Sequence, residues 1–390
     1  MQRENLVGFC DVDDERAAAS YQLHPGVRRF RDFRRMFDEI GNTIDAVTIS
    51  TPDHMHFPIA MAALALGKHV FVEKPLTHTI DEARILAAVA REKKVATQMG
   101  NQGHAGEGVR LLKEWIDAGV LGDVREIHSW TDRPGTRWPQ GGINAPDHSK
   151  FVPVVPGSLD WDAWLGVAQK RSYDPAYLPF SWRGYWDFGT GALGDMGCHL
   201  LDGVHLALNL DAPSRVECVS ALHNEVTGPS ASVVKFHFPK RGGFVPLEFT
   251  WYDGGLLPPP PAALESGRTL PANGTLIVGA KATVLASLYY QSVRIIPEVK
   301  MAELAPTLPA KSLPRIDGGH FAEWLRACKG GPIAGSHFEV AAKLTELCLL
   351  SNVAVRARRP LEWDAASMSV TNLRDANRFL KKSYRPGFGV

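Results

Sequence analysis

Short apolar runs separated by longer amphipathic stretches pattern the first hundred residues. Leu6–Cys10, Ala46–Ser50, His69–Val72 and Val95–Met99 carry β-branched, aromatic and sulfur-bearing side chains, a composition expected of short buried strands. The stretches between them read as helices. Pro58–Leu66 is rich in Ala, Leu and Met and stops at Gly67, a residue suited to a helix C-terminus. Ile80–Arg91 follows Thr79 and carries Glu82 three positions on, the pattern of a capping box. Strands alternating with helices of this length predict βαβ units, and right-handed crossovers then make a doubly wound, Rossmann-like parallel sheet over residues 1–120. From 121 onward the pattern changes. VREIHSWTD, ECVSALH, SVVKFHF, FVPLEFTWY, TLIVG and ATVLASLYY are β-like, and Val340–Val355 is apolar enough for a buried or docking helix. The fold class is α/β in two domains, 1–120 and 121–390.

Composition narrows the function classes. Hydrophobic residues make up 45% and charged residues 22%, ordinary values for a folded globular chain. Lys plus Arg number 43 against 42 Asp plus Glu, a balance that offers no footprint for nucleic acid or an anionic membrane. The five cysteines are scattered without a CxxC pair, so they read as buried apolar residues and no metal site is expected. No apolar run approaches ~18 residues, and MQRENLVGFC does not read as a signal peptide.

Ligands of doubly wound sheets bind beyond the carboxyl ends of the strands. Here those ends carry Asp11, Thr51-Pro52-Asp53-His54 with His56, Glu73-Lys74-Pro75, and Gly100-Asn101-Gln102-Gly103-His104. Four polar ends in succession favour a binding crevice. Asp11 suits the acid that holds a dinucleotide's ribose hydroxyls, which would favour NAD over NADP; it reads equally as a cap for a helix over Asp13–Ser20. Only ten residues precede it, so the glycine loop that cradles a pyrophosphate is expected upstream of Met1 and the sheet is expected to be incomplete. The chain's GxGxxG, Gly189–Gly194, follows SWRGYWDF and no buried parallel strand. Its glycines instead allow close backbone approach or packing at a helix start. Beyond them Asp195 and His199 stand four residues apart, so on a helix the carboxylate can orient the imidazole and raise its pKa for acid–base work; a helix cap beside a buried histidine is the plainer alternative. Lys74, partly desolvated at a strand end, is expected to lose pKa and exchange a proton with a hydroxyl, unless it is an ordinary surface turn.

Taken together, IDAVTISTPDHMHFPIAMAALALGKHVFVEKPLTHTIDEA, MGNQGH and WRGYWDFGTGALGDMGCHLLD resemble the Gfo/Idh/MocA oxidoreductases, the family of glucose–fructose oxidoreductase and inositol 2-dehydrogenase. The resemblance implies a C-terminal α/β domain built on a large open, mostly antiparallel sheet, with NAD between the domains. It implies catalytic roles for Lys74, Asp195 and His199, with either His199 or Lys74 taking the hydroxyl proton. It places Asp11, Ser50, Thr51, His54, His56, Glu73, Lys74, Asn101 and Gln102 in cofactor-contact regions, and it implies a homodimer or homotetramer.

Trp161, Trp164, Trp182, Tyr185 and Trp186 crowd one segment with Arg183 and Asp187. Aromatic faces suit sugar C–H surfaces, so Trp161, Trp164 and Arg183 join Lys74, Asp195 and His199 as candidate contacts to a sugar or glycoside; core packing claims part of these rings. The expected activity is NAD-dependent hydride transfer at a sugar, polyol or glycoside carbinol carbon. The alternatives are an NAD-assisted glycosidase working by transient oxidation and elimination, and a non-catalytic sugar-binding relative. A cytoplasmic location is the default, and a periplasmic one follows if a twin-arginine leader lies upstream.

Overall fold

A computed structural model describes residues 4–388; residues 1–3 and 389–390, and with them part of the N-terminal decapeptide read above, lie outside it. The N-terminal half runs β1 (Gly8–Cys10), α1 (Asp14–Leu23), β2 (Arg28–Phe30), α2 (Phe33–Ile40), β3 (Ala46–Ile49), α3 (His56–Ala65), β4 (His69–Val72), α4 (Ile80–Lys93), β5 (Thr97–Met99) and α5 (Glu107–Asp117). Every strand pairing in it is parallel. The strands form two pieces, β1-β2 and β3-β4-β5, and no described strand joins them. Ordered β2-β1 and β3-β4-β5, the pieces match positions 3-2 and 4-5-6 of the doubly wound order 3-2-1-4-5-6. Burial follows from the break. β5 is buried throughout and β4 nearly so, whereas Cys10 on β1 and Thr48 on β3 are exposed.

Local sequence accounts for the helix ends. Thr79 and Glu82 close a reciprocal capping box on α4. Gly67, at φ 70°, ends the turn after α3 in the left-handed region that glycine tolerates. Helix α1 is capped by Asp13, whose carboxylate accepts the Glu15 N–H at 3.1 Å. Asp11 is therefore not the cap; its Oδ1 accepts the Asp13 N–H at 2.9 Å.

After β6 (Val124–Trp130) come α6 (Trp161–Leu165), a π-helical turn at Leu193–Gly197, α7 (Cys198–Leu200) and α8 (Asp202–Ala207). Strands β7 (Arg215–Ser220), β8 (Ser232–Phe238), β9 (Leu247–Tyr252), β10 (Gly274–Gly279), β11 (Thr283–Ser287), β12 (Val293–Ile296), β13 (Leu361–Asp364) and β14 (Ser369–Val370) complete a nine-stranded sheet, ordered β12-β11-β10-β6-β9-β8-β7-β13-β14. Only β6–β9 is parallel, so the sheet is mostly antiparallel as expected. Of its helices, α9 (Glu298–Leu304) and α10 (Gly319–Cys328) precede α11 (Phe338–Ala357), whose apolar residues are almost all buried. α11 ties the halves together. It packs on α4 and β5 of the first half and on β7 of the second, and Thr345 on it donates its hydroxyl toward Met99 of β5. Among the described residues no helix is long and apolar enough to cross a membrane.

Candidate active site

The carboxyl end of β4 delivers Glu73, Lys74 and Pro75 into the space facing the second half of the chain. There Lys74 Nζ donates to Asp195 Oδ1 at 2.7 Å and to the Asp195 carbonyl at 2.9 Å. Both partners are largely buried, with side-chain exposures of 16% and 13%. Asp195 sits in the π-helical turn, a wider form common at functional sites. Arg183 approaches the same carboxylate oxygen at 3.4 Å and lies over the Phe180 and Trp182 rings.

This geometry corrects two expectations. Burial works against the charge on Lys74, but the adjacent Asp195 overcomes it and holds the ammonium above its ordinary pKa. Lys74 is thus a fixed cation. Asp195, in turn, is committed to Lys74 and Arg183 and makes no hydrogen bond to His199. Instead of being raised, the imidazole's pKa is pushed down by burial, with the Lys74 cation adding to the effect, to about 3. His199 is therefore neutral, its Nδ1 is buried without a partner, and its ring meets Tyr289 edge-on at 4.7 Å between centroids. Glu73 completes the cluster; burial raises its pKa, while Lys74, His56 and Arg183 pull it back.

The glycines of the Gly189–Gly194 segment serve helix-start packing. A Cβ on Gly194 would lie 1.7 Å from Thr190 Oγ1, and that hydroxyl is pinned by its 2.6 Å donation to buried Asp53. Gly194→Ala is expected to cost about 1–3 kcal/mol through overpacking, read as a lower thermal midpoint. An unchanged midpoint would show that the turn relaxes freely.

Other sequence candidates divide by where their polar atoms go. Ser50 and Gln102 are exposed, and Asp11 is half-buried at the end of β1. Thr51 Oγ1 and Asn101 Nδ2 are buried polar atoms without partners at the ends of β3 and β5, although Asn101 Oδ1 accepts from Ser336. His54 and His56 are taken up within the protein. The His54 ring nitrogens lie 3.3 and 3.1 Å from the Phe188 and Trp164 carbonyls, and those of His56 lie 2.8 and 2.9 Å from the Pro75 and Thr51 carbonyls. Carbonyl oxygens only accept and a neutral imidazole carries a single N–H, so His54 donates to one of its two carbonyls; both rings nonetheless lie against backbone. His56 spans the ends of β3 and β4 and holds the Lys74 turn. Trp161 and Trp164 also leave the list of sugar contacts. They stack at 4.9 Å inside an aromatic cluster with Tyr177 and Phe188 and are 9% and 6% exposed. Core packing won those rings because their faces are taken by one another and by neighbouring rings.

Two features escaped the sequence reading. Tyr289 closes over His199 with a left-handed backbone, φ 60°, and no local motif marks it. His104 of the GNQGH segment donates from Nδ1 to buried Asp202 at 2.7 Å. Burial opposes its charge, but Asp202 prevails and its pKa rises.

The nicotinamide end of a dinucleotide fits this site. The two orphaned polar atoms on Thr51 and Asn101 call for a polar occupant, and Gly100 presses so close to Glu73 that a Cβ would lie 2.6 Å from its carboxylate. A backbone cradle for a pyrophosphate is not found among the described residues. Nor is any group of three His, Cys, Asp or Glu able to hold a metal.

Comparison with known proteins gives the family and the fold. Residues 1–101 match the model described as oxidoreductase family, NAD-binding Rossmann fold, and residues 105–235 match its C-terminal α/β domain. An uncharacterized oxidoreductase, YdgJ, of Escherichia coli K12 is 36% identical over 180 residues, 45% of this chain and 50% of the relative. Levoglucosan dehydrogenase of Pseudarthrobacter phenanthrenivorans is 28% identical over 172 residues, 44% of this chain and 34% of the relative. The chain thus spans half or less of the length of these curated relatives. The crystal structure of the WlbA dehydrogenase from Bordetella pertussis, in complex with NADH and UDP-GlcNAcA, superposes with a TM-score of 0.62 at 16% identity, covering 93% of this chain and 92% of that one. At that identity the likeness is one of fold.

Proposed function

The chain belongs to the Gfo/Idh/MocA oxidoreductases, and from that premise we propose that it transfers hydride between a carbinol carbon of a sugar, polyol or glycoside and NAD. The carrying observation is the buried Lys74–Asp195 pair, 2.7 Å apart, beside a neutral His199. Bound nicotinamide supplies the hydride acceptor. The protein's share is to position the hydroxyl and move its proton. Lys74, kept cationic by Asp195, donates a hydrogen bond to the substrate oxygen and stabilises negative charge as it develops there. His199 is uncharged and so able to receive the hydroxyl proton on a ring nitrogen. Arg183 keeps Asp195 ionised and oriented. Glu73, Thr51, Asn101, Ser50, Gln102 and Asp11 line the strand ends over which the cofactor would lie.

The test is an NADH fluorescence titration followed by turnover with a panel of sugars and polyols. Substrate-dependent NADH formation supports the reading. Release of an aglycone without net NADH would replace it with the glycosidase, and sugar affinity without NADH binding would replace it with a sugar-binding protein. Asp11→Ser is expected to narrow the preference for NAD over NADP, because a carboxylate accepts from ribose hydroxyls and repels a 2′-phosphate. An unchanged cofactor ratio would confine Asp11 to its local bond with Asp13.

A further inference from the structure

A second cavity, of about 600 Å³, opens beside the Gly189–Thr190 segment, and none of Lys74, Asp195 or His199 lines it. Its charges do not balance. Arg356, Arg378, Lys381 and Lys382 face Asp187 and Glu225 there. Asp187 is already paired with Arg171, and Lys382 with Glu82 at 3.1 Å. Lys382 also donates to His78 Nδ1 at 3.0 Å, which leaves the His78 Nε2–H to point at the Gly189 carbonyl and makes that ring a neutral wall. Among the described residues, Arg356, Arg378 and Lys381 have no carboxylate within ion-pair distance, so three cations stand against Glu225 alone. Arg356 is the most telling of them. Its guanidinium lies 4.1 Å from the Phe379 ring centroid and 5.4 Å from that of Trp186, and its Nε is buried without a partner. A buried N–H left unsatisfied carries an uncompensated desolvation cost, and a guanidinium fork is shaped for an anion with several oxygens.

We infer that this cavity binds the phosphate ester of a small polyhydroxy compound, with Arg356, Arg378 and Lys381 taking the phosphate. The volume lies in the range of small-molecule pockets and well above that of a bare anion. The rest of the lining suits the organic part. Trp186 and Phe379 offer faces to C–H groups. Asn352 spends its Nδ2 on the Thr190 carbonyl at 2.8 Å, which leaves its Oδ1 to accept from a hydroxyl. Thr190 connects the two sites, since it also holds Asp53 and abuts Gly194 in the turn that carries Asp195. This inference does not depend on the activity proposed above.

The test is isothermal titration of the full chain at low salt with glucose 6-phosphate, glucose and inorganic phosphate. Glucose 6-phosphate is expected to bind at least tenfold more tightly than either of the others and to weaken as salt is added. The exposed residues Arg378 and Lys381 can be altered without disturbing the core. Arg378→Ala/Lys381→Ala is expected to weaken glucose 6-phosphate at least tenfold, with thermal midpoint and NADH affinity unchanged. Absence of binding by glucose 6-phosphate overturns the inference, as does equal binding by the double variant, which would place the ligand elsewhere. Glucose binding as tightly as its phosphate also overturns it. Equal affinity for inorganic phosphate overturns the ester assignment and makes this a free-phosphate site.

Discussion

Lys74→Met is expected to lower kcat by at least about 10²-fold, the scale of a lost acid–base or charge-stabilising contribution, and also to destabilise the fold. An ordinary surface turn would tolerate the change. Lys74, however, neutralises a carboxylate that is only 13% exposed, and removing one partner of a buried pair typically costs about 3–5 kcal/mol because the other charge is left uncompensated. Arg183, 3.4 Å from the same oxygen, places the cost at the low end of that range. The two effects separate in a double variant. Replacing both charges, as Lys74→Met/Asp195→Leu, removes the stranded carboxylate, and apolar replacement of a whole buried pair is often neutral or stabilising. The thermal midpoint of the double variant is therefore expected to rise well above that of Lys74→Met, while kcat stays as low or lower. Near wild-type turnover in Lys74→Met would return the residue to a turn. Recovery of kcat along with stability would make the pair structural only.

Much of this site was legible because parallel sheets concentrate chemistry at one place in the sequence. Once β3, β4 and β5 were recognised as short apolar runs, their carboxyl ends had to be neighbours, and Thr51, Glu73, Lys74 and Asn101 came with them. Asp195 and His199 were visible from their motif, but the pairing was misassigned. Spacing along one helix says which side chains share a face; it cannot say that a lysine 121 positions away will take the carboxylate first. The same limit explains His54 and His56. Their partners are carbonyls, which every residue supplies, so no side-chain pattern announces them. Trp161 and Trp164 failed for a different reason. An aromatic cluster in sequence fits a sugar platform and a core equally well, and only the burial of its faces decides. The short strands β2, β12, β13 and β14 were missed because two to four residues carry too little periodicity to be read. Tyr289 had no local signal at all, since it reaches His199 through the far sheet.

Stability is expected to fall steeply as pH drops from about 7 to about 5, and the buried histidines set the sign. Burial pushes the pKa values of His54 and His199 down to about 3 and that of His205 to about 4, with His78 also well below its usual value. In the unfolded chain each titrates near 6.5. Between those values the unfolded state binds more protons than the folded one, so the stabilising contribution is present above about 6.5 and is lost as pH falls. With 1.36 kcal/mol per pKa unit, each fully neutral histidine loses about 2 kcal/mol by pH 5. His54, His199 and His205 together lose about 6 kcal/mol, comparable to the whole stability of many domains. Several groups act the other way, among them Asp53 and Glu73, whose carboxyl pKa values burial raises. Asp202 raises the pKa of His104 despite its burial, so that ring binds its proton more readily in the folded state and gains stability as pH falls. Burial raises Asp253 to about 6, so it takes up a proton in the folded state first and returns about 1 kcal/mol at pH 5. The net loss remains several kcal/mol, read as a falling urea midpoint between pH 7.5 and 5. His54→Gln, which removes one titrating ring away from the catalytic cluster, is expected to be less stable than the parent at pH 7.5 and to show a slope shallower by about 2 kcal/mol over the same range. A midpoint that does not move with pH would show that these rings charge within the folded protein. An unchanged slope in His54→Gln would exempt His54 alone.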